Sequence, residues 1–465
     1  MCFHTDKHLG IFKLIEKCQY SALKNMFKCQ HTYDNKSNTF VADNENNNYD
    51  EDDESFFEEI NIDNDGISIN YEDSWIHSNM DFYHIEDGDT TVEILNTGAL
   101  DKDFYKYSLN FQNAADKVIH YLIQDSDRIS ELDLWYFAII YLYRQSLELI
   151  LKACIFQIVT DLESRKSIIS SIRHDLSQAF DKLLELKSFA MNENAEWLKA
   201  FLSDIARIDK DSDMFRFPFS NKMKVLFNEQ THIDLCATKI NMNRAFETIK
   251  SIFISGEFPV NVFNDFEPKL IIEGGNYYTQ SVVGYKFSKG SFYPFVGSYI
   301  KVADFIKNYS LNNHDFELFL PMCYLYRNAI ELGLKRIIFE SSHIDYAKAT
   351  RIMHKKKHSV LGLWNSIREE VIEYANAPDD DDTINNADKC IKKLHDIDTG
   401  SSLFRYPCNM NLEVYFKHRV FLSIENVSNY FEAIFNFFNA VNTMLSVAKE
   451  YEYDMLSEMG DYYGL

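Results

Sequence analysis

Apolar residues along this chain recur mostly at helical spacing, in long runs broken by short polar turns, and the whole pattern is written twice. The first writing predicts helices over 107–123, 131–159, 174–189, 195–207 and 232–254, and the second over 295–309, 314–340, 358–375, 384–396 and 417–447. Polar turns at 209–213 and 398–402, followed by Pro218 and Pro407, end the helical stretches, and Pro378 with the acidic run 379–382 predicts a surface loop. Ahead of each set the period shortens towards two, at Ile60, Ile62, Ile67, Ile69, Val92 and Ile94, and at Leu270 to Ile272, Val282, Val283, Tyr285 and Phe287. The expected fold is mainly α: two repeated antiparallel helical bundles with short β-like segments preceding each.

The expected boundaries follow from these shifts. Residues 1–42 hold an amphipathic helix and a tail, with Leu14, Ile15, Cys18, Ala22, Met26 and Phe27 on one face; residues 43–101 hold an acidic linker and a short strand-like segment. The repeats are 102–256 and 292–447, joined by a strand-like linker at 257–291 and followed by a tail at 448–465. The N-terminal helix reads either as docked on protein, its own body or a partner's, or as a basic membrane-surface helix.

The duplication is visible residue by residue. Leu142-Tyr143-Arg144 through Glu148 and Lys152 returns as Leu325-Tyr326-Arg327 through Glu331 and Lys335. A histidine opens the next helix in both, His174 and His358, and Phe215-Arg216-Phe217-Pro218 returns as Phe404-Arg405-Tyr406-Pro407. Phe104-Tyr105 with Ala115-Asp116 matches Phe292-Tyr293 with Ala303-Asp304 at the same separation, so the repeated unit is a whole domain rather than a short solenoid period.

Arg144, Glu148 and Lys152, like Arg327, Glu331 and Lys335, lie at i, i+4 and i+8 and form a charged stripe on a helix that is apolar nearly all round. Such charges need partners, because an unpaired buried ion costs several kcal/mol. The partners at hand are His174 or His358, the turn arginine Arg216 or Arg405, and the preceding Asp209 or Asp398. Two readings stand open. Either each set is a polar network that fixes helix crossing, or the Lys, His and Arg side chains converge on a cleft for an anionic ligand such as a nucleotide phosphate. The clefts would be Arg144/Glu148/Lys152/His174/Arg216 and Arg327/Glu331/Lys335/His358/Arg405.

Composition narrows the partners. The 465 residues carry a net charge of −24 and 46% hydrophobic residues, which allows well-filled cores and repels free nucleic acid at long range. Any RNA contact must use a local basic patch, and His354-Lys355-Lys356-Lys357-His358 is the best one. The eight cysteines are scattered without a Cys-x-x-Cys pair, which reads as reduced thiols in a cytoplasmic protein. Lys13, Glu16 and Lys17 interrupt the N-terminal apolar run, so no signal peptide is expected, and charges near the middle of 134–159 argue against a membrane span. His354 and His358 could grip a metal, but the lysines between them oppose a cation, so neither metal nor cofactor is expected.

The ordered set Glu148, Leu151, Lys152, Ala153; His174, Asp175, Leu176; and Arg405, Tyr406, Pro407 resembles the HEPN superfamily, in particular the branch found beside minimal nucleotidyltransferases. The likeness covers 104–254 and 292–447. It implies an up-and-down bundle, pairing through the bundle, and roles in nucleotide or RNA biology, often in bacterial defence or toxin-antitoxin systems. Catalytic members are metal-independent ribonucleases with an Arg, four to six intervening residues and then a His near the start of the last helix, and this chain lacks that pair there. Arg351 and His358, and Arg336 and His343, have similar spacings at another place. The expectation is therefore a cytoplasmic tandem HEPN-like binding or regulatory protein for nucleotide or RNA, its two bundles forming an internal pseudo-dimer, with homo-oligomers or a protein partner on the N-terminal helix also open. The alternatives are a ribonuclease, using His174 or His358 as base and Arg216 or Arg405 to stabilise the transition state, and a non-catalytic assembly scaffold.

Overall fold

The structure is a computed structural model that describes residues 75–463 apart from 86–89, 125–127, 221–224, 226, 228, 261–265, 286–289 and 379–380. The expected N-terminal helix, the acidic linker, Ile60 to Ile69 and Phe287 lie outside the described residues.

The described chain is mainly helical. Its first half runs β1 (Thr91–Ile94), α1 (Leu100–Gln124), α2 (Ile129–Leu134), α3 (Tyr136–Ile158), α4 (Leu162–Ile172), α5 (Leu176–Leu186), α6 (Glu193–Asp209), β2 (Thr231–Asp234) and α7 (Leu235–Ser255). The second runs β3 (Gln280–Val283), α8 (Tyr293–Asn313), a 3-10 turn at Phe316–Leu318, α9 (Phe319–Arg336) with a π-helical end at Ile337–Ser341, and α10 (Tyr346–Lys356). It closes with α11 (Val360–Trp364), α12 (Arg368–Ala375), α13 (Thr383–Ile397), β4 (Val420–Ser423) and α14 (Ile424–Tyr463).

Several elements differ from the sequence expectation, each for a local reason. The helix expected over 131–159 breaks at Trp135, whose N–H closes α2 on the carbonyl of Glu131. Helices α4 and α10 occupy stretches read as connectors; Asp161 and Asp345 cap them by accepting from Ser164 N and Lys348 N. Their apolar signal is thin, since α10 buries only Ala349. The helix expected over 358–375 divides into α11 and α12, and α14 continues through the stretch read as a tail.

The strands cross between the halves. β1 pairs antiparallel with β4, from Thr91↔Ser423 to Ile94↔Val420, and β3 pairs antiparallel with β2, from Thr231↔Val283 to Asp234↔Gln280. The segment preceding each half is therefore clasped by the strand that opens the last helix of the other half. Leu270 to Ile272 form no strand; Ile272 only accepts from Asp234 N.

The core is centred on α3 and α9. Every residue of α3 from Tyr136 to Phe156, and of α9 from Phe319 to Lys335, is buried, with α1, α5 and α7 packed on α3 and α8, α11 and α14 on α9. Between the halves the Tyr141 and Tyr324 rings stack at 4.8 Å and the Phe137 and Phe295 rings at 4.1 Å. Each such side chain contributes roughly 1.5–3 kcal/mol by leaving water, which holds the two charged stripes in place. Cys154, Cys323, Cys390 and Cys408 are buried free thiols, and among the described residues no helix is long and apolar enough to cross a membrane.

Candidate functional site

In each half one buried glutamate collects the charges of the stripe. Glu148 receives Lys152 Nζ at 2.6 Å and Arg144 Nη1 at 2.7 Å, and His174 Nδ1 lies 3.1 Å from its Oε1. Glu331 receives Lys335 Nζ at 2.6 Å, Arg327 Nη1 at 3.3 Å and His358 Nδ1 at 2.9 Å. The remaining reach of each arginine ties the helix to the chain around it. Arg144 Nη2 donates to the His174 carbonyl, and Nε lies 3.0 Å from Asp209 Oδ2. Arg327 Nη2 donates to the His358 carbonyl at 2.7 Å, with Asp398 Oδ2 4.0 Å from Nε. Asp209 and Asp398 in turn accept from backbone N–H groups at the head of the polar turn, Asp213 with Met214 and Ser402 with Leu403.

The histidines are held in one strained backbone geometry. Each stands just before the N-cap of the following helix, Asp175 for α5 and Ser359 for α11. The residue before each histidine, Arg173 (φ 48°, ψ −104°) or Lys357 (φ 49°, ψ −104°), lies in a region that favours glycine. Such a conformation costs on the order of 1–3 kcal/mol. Both positions nevertheless carry an exposed cation.

Electrostatics settles the protonation states. Burial opposes ionisation of Glu148, but Lys152, His174 and Arg144 outweigh it and hold its carboxyl well below the ordinary range; burial, Lys335, His358 and Arg327 have the same outcome at Glu331. Glu148 pulls the His174 imidazole upward, yet burial with the Lys152 and Arg405 charges leaves it below the ordinary histidine value. His358 is likewise pulled up by Glu331 and brought below by burial, Lys335 and Arg216. A carboxylate can only accept, so a neutral histidine beside it carries its proton on Nδ1 and leaves Nε2 as an acceptor. Each side chain is 36% exposed, and Nε2 has no protein partner among the described residues in either half.

The sequence-based grouping needs correction at the turn arginines: Arg216 does not complete the first cluster, nor Arg405 the second. The turns exchange, as the strands do. Tyr406 Oη donates to Glu148 Oε1 at 2.7 Å and lies 3.4 Å from His174 Nδ1, with Lys152 Nζ 5.0 Å from its ring centre. Arg405 Nη2 donates to that hydroxyl at 3.0 Å. In the second cluster Phe217 takes the place of Tyr406, 4.0 Å from Lys335 Nζ and 6.0 Å from the His358 ring. The exchange is anchored by bonds across the halves: Tyr299 Oη donates to the Phe215 carbonyl at 3.1 Å, Gln145 Nε2 to the Arg405 carbonyl at 3.3 Å and Asn96 Nδ2 to the Pro407 carbonyl at 2.9 Å. The two guanidinium groups end on opposite clusters, 5.9 Å each from the Tyr141 ring centre.

Arg216 and Arg405 are 4% and 5% exposed, so they stand behind the aromatic residues and out of reach of a bound molecule. Of the basic run, His354, Lys355 and Lys357 are exposed next to His358 and pair with no carboxylate among the described residues. Arg351 lies within α10 and His358 two residues beyond its end, while His343 has Nδ1 on Glu370 at 2.9 Å and Nε2 on Glu452 at 3.1 Å, away from both clusters. Sequence reasoning missed Tyr406 and Arg173, and placed Lys357 only within the basic run. The Tyr-for-Phe difference between the two turns was the available signal for the first; the strained backbone leaves none.

No family model, curated protein or solved structure matches this chain.

Proposed function

We propose that the chain is a HEPN-like helical binding protein for a phosphate-bearing ligand, a nucleotide or an RNA strand, met at the histidine windows. One observation carries the reading. A buried glutamate holds a neutral, part-exposed histidine by Nδ1, and the residue that presents it is a strained, exposed cation, in both halves. A turn that served the fold alone would be more stable with glycine there. A cation next to an outward Nε2 acceptor suits a phosphate that carries a proton or an adjoining hydroxyl, since Nε2 accepts that hydrogen bond while the cation meets the charge.

The test is a thermal-shift titration with adenosine 5′-monophosphate and a short single-stranded RNA. Binding raises the melting temperature, and His174→Ala combined with His358→Ala removes the rise. No shift with any common nucleotide or RNA would overturn the reading.

The glutamate–histidine dyad also favours a second reading, metal-independent RNA cleavage. Nε2 would take the proton of a ribose 2′-hydroxyl, whose oxygen attacks phosphorus; the 5′-oxygen departs with a proton from water, leaving a 2′,3′-cyclic phosphate. Accumulation of that product in the presence of a chelator, and its loss in His174→Ala, would distinguish cleavage from binding alone.

A further inference from the structure

The clusters differ in charge as well as in shape. Arg216 has its own carboxylate, Asp213, with Nη2 to Oδ1 at 2.9 Å, and donates from Nε to the Ser212 carbonyl. Four residues after the anchoring aspartate, where the first turn carries Asp213, the second carries Ser402, whose hydroxyl meets Tyr415 Oη at 2.6 Å. Arg405 therefore has no carboxylate within ion-pair distance among the described residues, and its Nε is buried without a partner. Its tie to an anion runs through the Tyr406 hydroxyl to Glu148.

The consequence is a surplus. In the second cluster Arg327, Lys335 and Arg216 meet Glu331, Asp398 and Asp213. In the first, Arg144, Lys152 and Arg405 meet only Glu148 and Asp209 among the described residues. A buried positive charge without its counter-ion is costly, and it attracts an anion arriving at the surface beside it. The way in is the exposed edge of His174 with Arg173.

Building on the binding function proposed above, we infer that the two clusters divide the work: the first takes the phosphate group, and the second, charge-matched and with Phe217 in the place of Tyr406, does not. Tyr406 and Ser402 are the specificity determinants, acting as positioning residues. Ser402 leaves Arg405 without a carboxylate of its own, and Tyr406 links that arginine to the Glu148–His174 dyad. Phosphate contacts His174 Nε2 and Arg173; Arg405 stays behind and supplies charge.

The test uses the full chain with inorganic phosphate and adenosine 5′-monophosphate as probes, read by calorimetry and by NMR of 13C-labelled histidine. The expected result is one equivalent per chain, with the His174 resonance moving and the His358 resonance still. Tyr406→Phe should weaken binding at least tenfold while the melting temperature changes little, because phenylalanine already fills that place in the second cluster. It should also move the His174 titration upward, since Glu148 loses a competing donor, and leave His358 unchanged. Phe217→Tyr combined with Asp213→Ser should bring the stoichiometry to two. Two equivalents in the native chain, movement of His358, or unchanged binding in Tyr406→Phe would overturn the division of work and leave the binding function standing. No binding of either probe would overturn both.

Discussion

The central helices and the turns that close over them behave differently under duplication. On α3 and α9 the buried charged residues coincide position for position, Arg144 with Arg327, Glu148 with Glu331 and Lys152 with Lys335. In the turns five positions diverge, and two of them, Asp213 against Ser402 and Phe217 against Tyr406, bear on the clusters. The helices are packed on every side, so a charge there must find its partner within a few ångströms and leaves no room for variation. The turns border solvent at the histidine windows, where a hydroxyl or a carboxylate can be exchanged without unpacking the core. Stability is thus written in the helices and the difference between the two sites in the turns.

The largest effect should come from breaking the helical part. Glu331→Ala leaves Lys335 and His358 without their carboxylate and Arg327 with Asp398 alone, and should destabilise the chain by about 3–5 kcal/mol in denaturant unfolding; a loss below about 1 kcal/mol would contradict the hub role. Acid acts on the same groups. Glu148 and Glu331 are held below the unfolded value of 4.5, and His174 and His358 below 6.5. In both cases the unfolded chain binds protons more readily, so stability is complete above about pH 6.5, declines first through the histidines, and falls further below about pH 4.5. Melting temperature measured from pH 8 to pH 4 should show both stages.

Smaller changes sharpen the turn side of the comparison. Relieving backbone strain by Lys357→Gly or Arg173→Gly should stabilise by about 1 kcal/mol, whereas only Arg173→Gly should weaken phosphate binding. Replacing the Tyr406 hydroxyl should cost about 1 kcal/mol, the worth of a buried hydrogen bond, and Asp213→Ser about 0.5–1 kcal/mol, because Asp213 is partly exposed.

Much of this was legible in the chain. The buried stripe, its histidines and the anchoring Asp209 and Asp398 follow from one rule, that ions on an apolar helix need partners. The period of 3.6 located α6 and α13 closely, since each has one wet face. It overlooked α4 and α10, whose few buried residues leave little period to read, and the starts of β2 and β4, which are too short to separate from the helices they lead into. Which turn meets which cluster was not legible at all. A duplicated chain offers each glutamate two equivalent turns, and only tertiary packing, here Tyr299 on Phe215 and Gln145 on Arg405, selects the one from the other half.

The exchange of turns between the halves is the feature on which everything else depends, and a double-mutant cycle tests it directly. Tyr406→Phe and Glu148→Gln, measured singly and together by denaturant unfolding, should show a coupling of at least about 0.5 kcal/mol, while Tyr406→Phe with Glu331→Gln should be additive within about 0.3 kcal/mol. Coupling to Glu331 with additivity at Glu148 would mean that each turn closes over its own half, and would contradict the account.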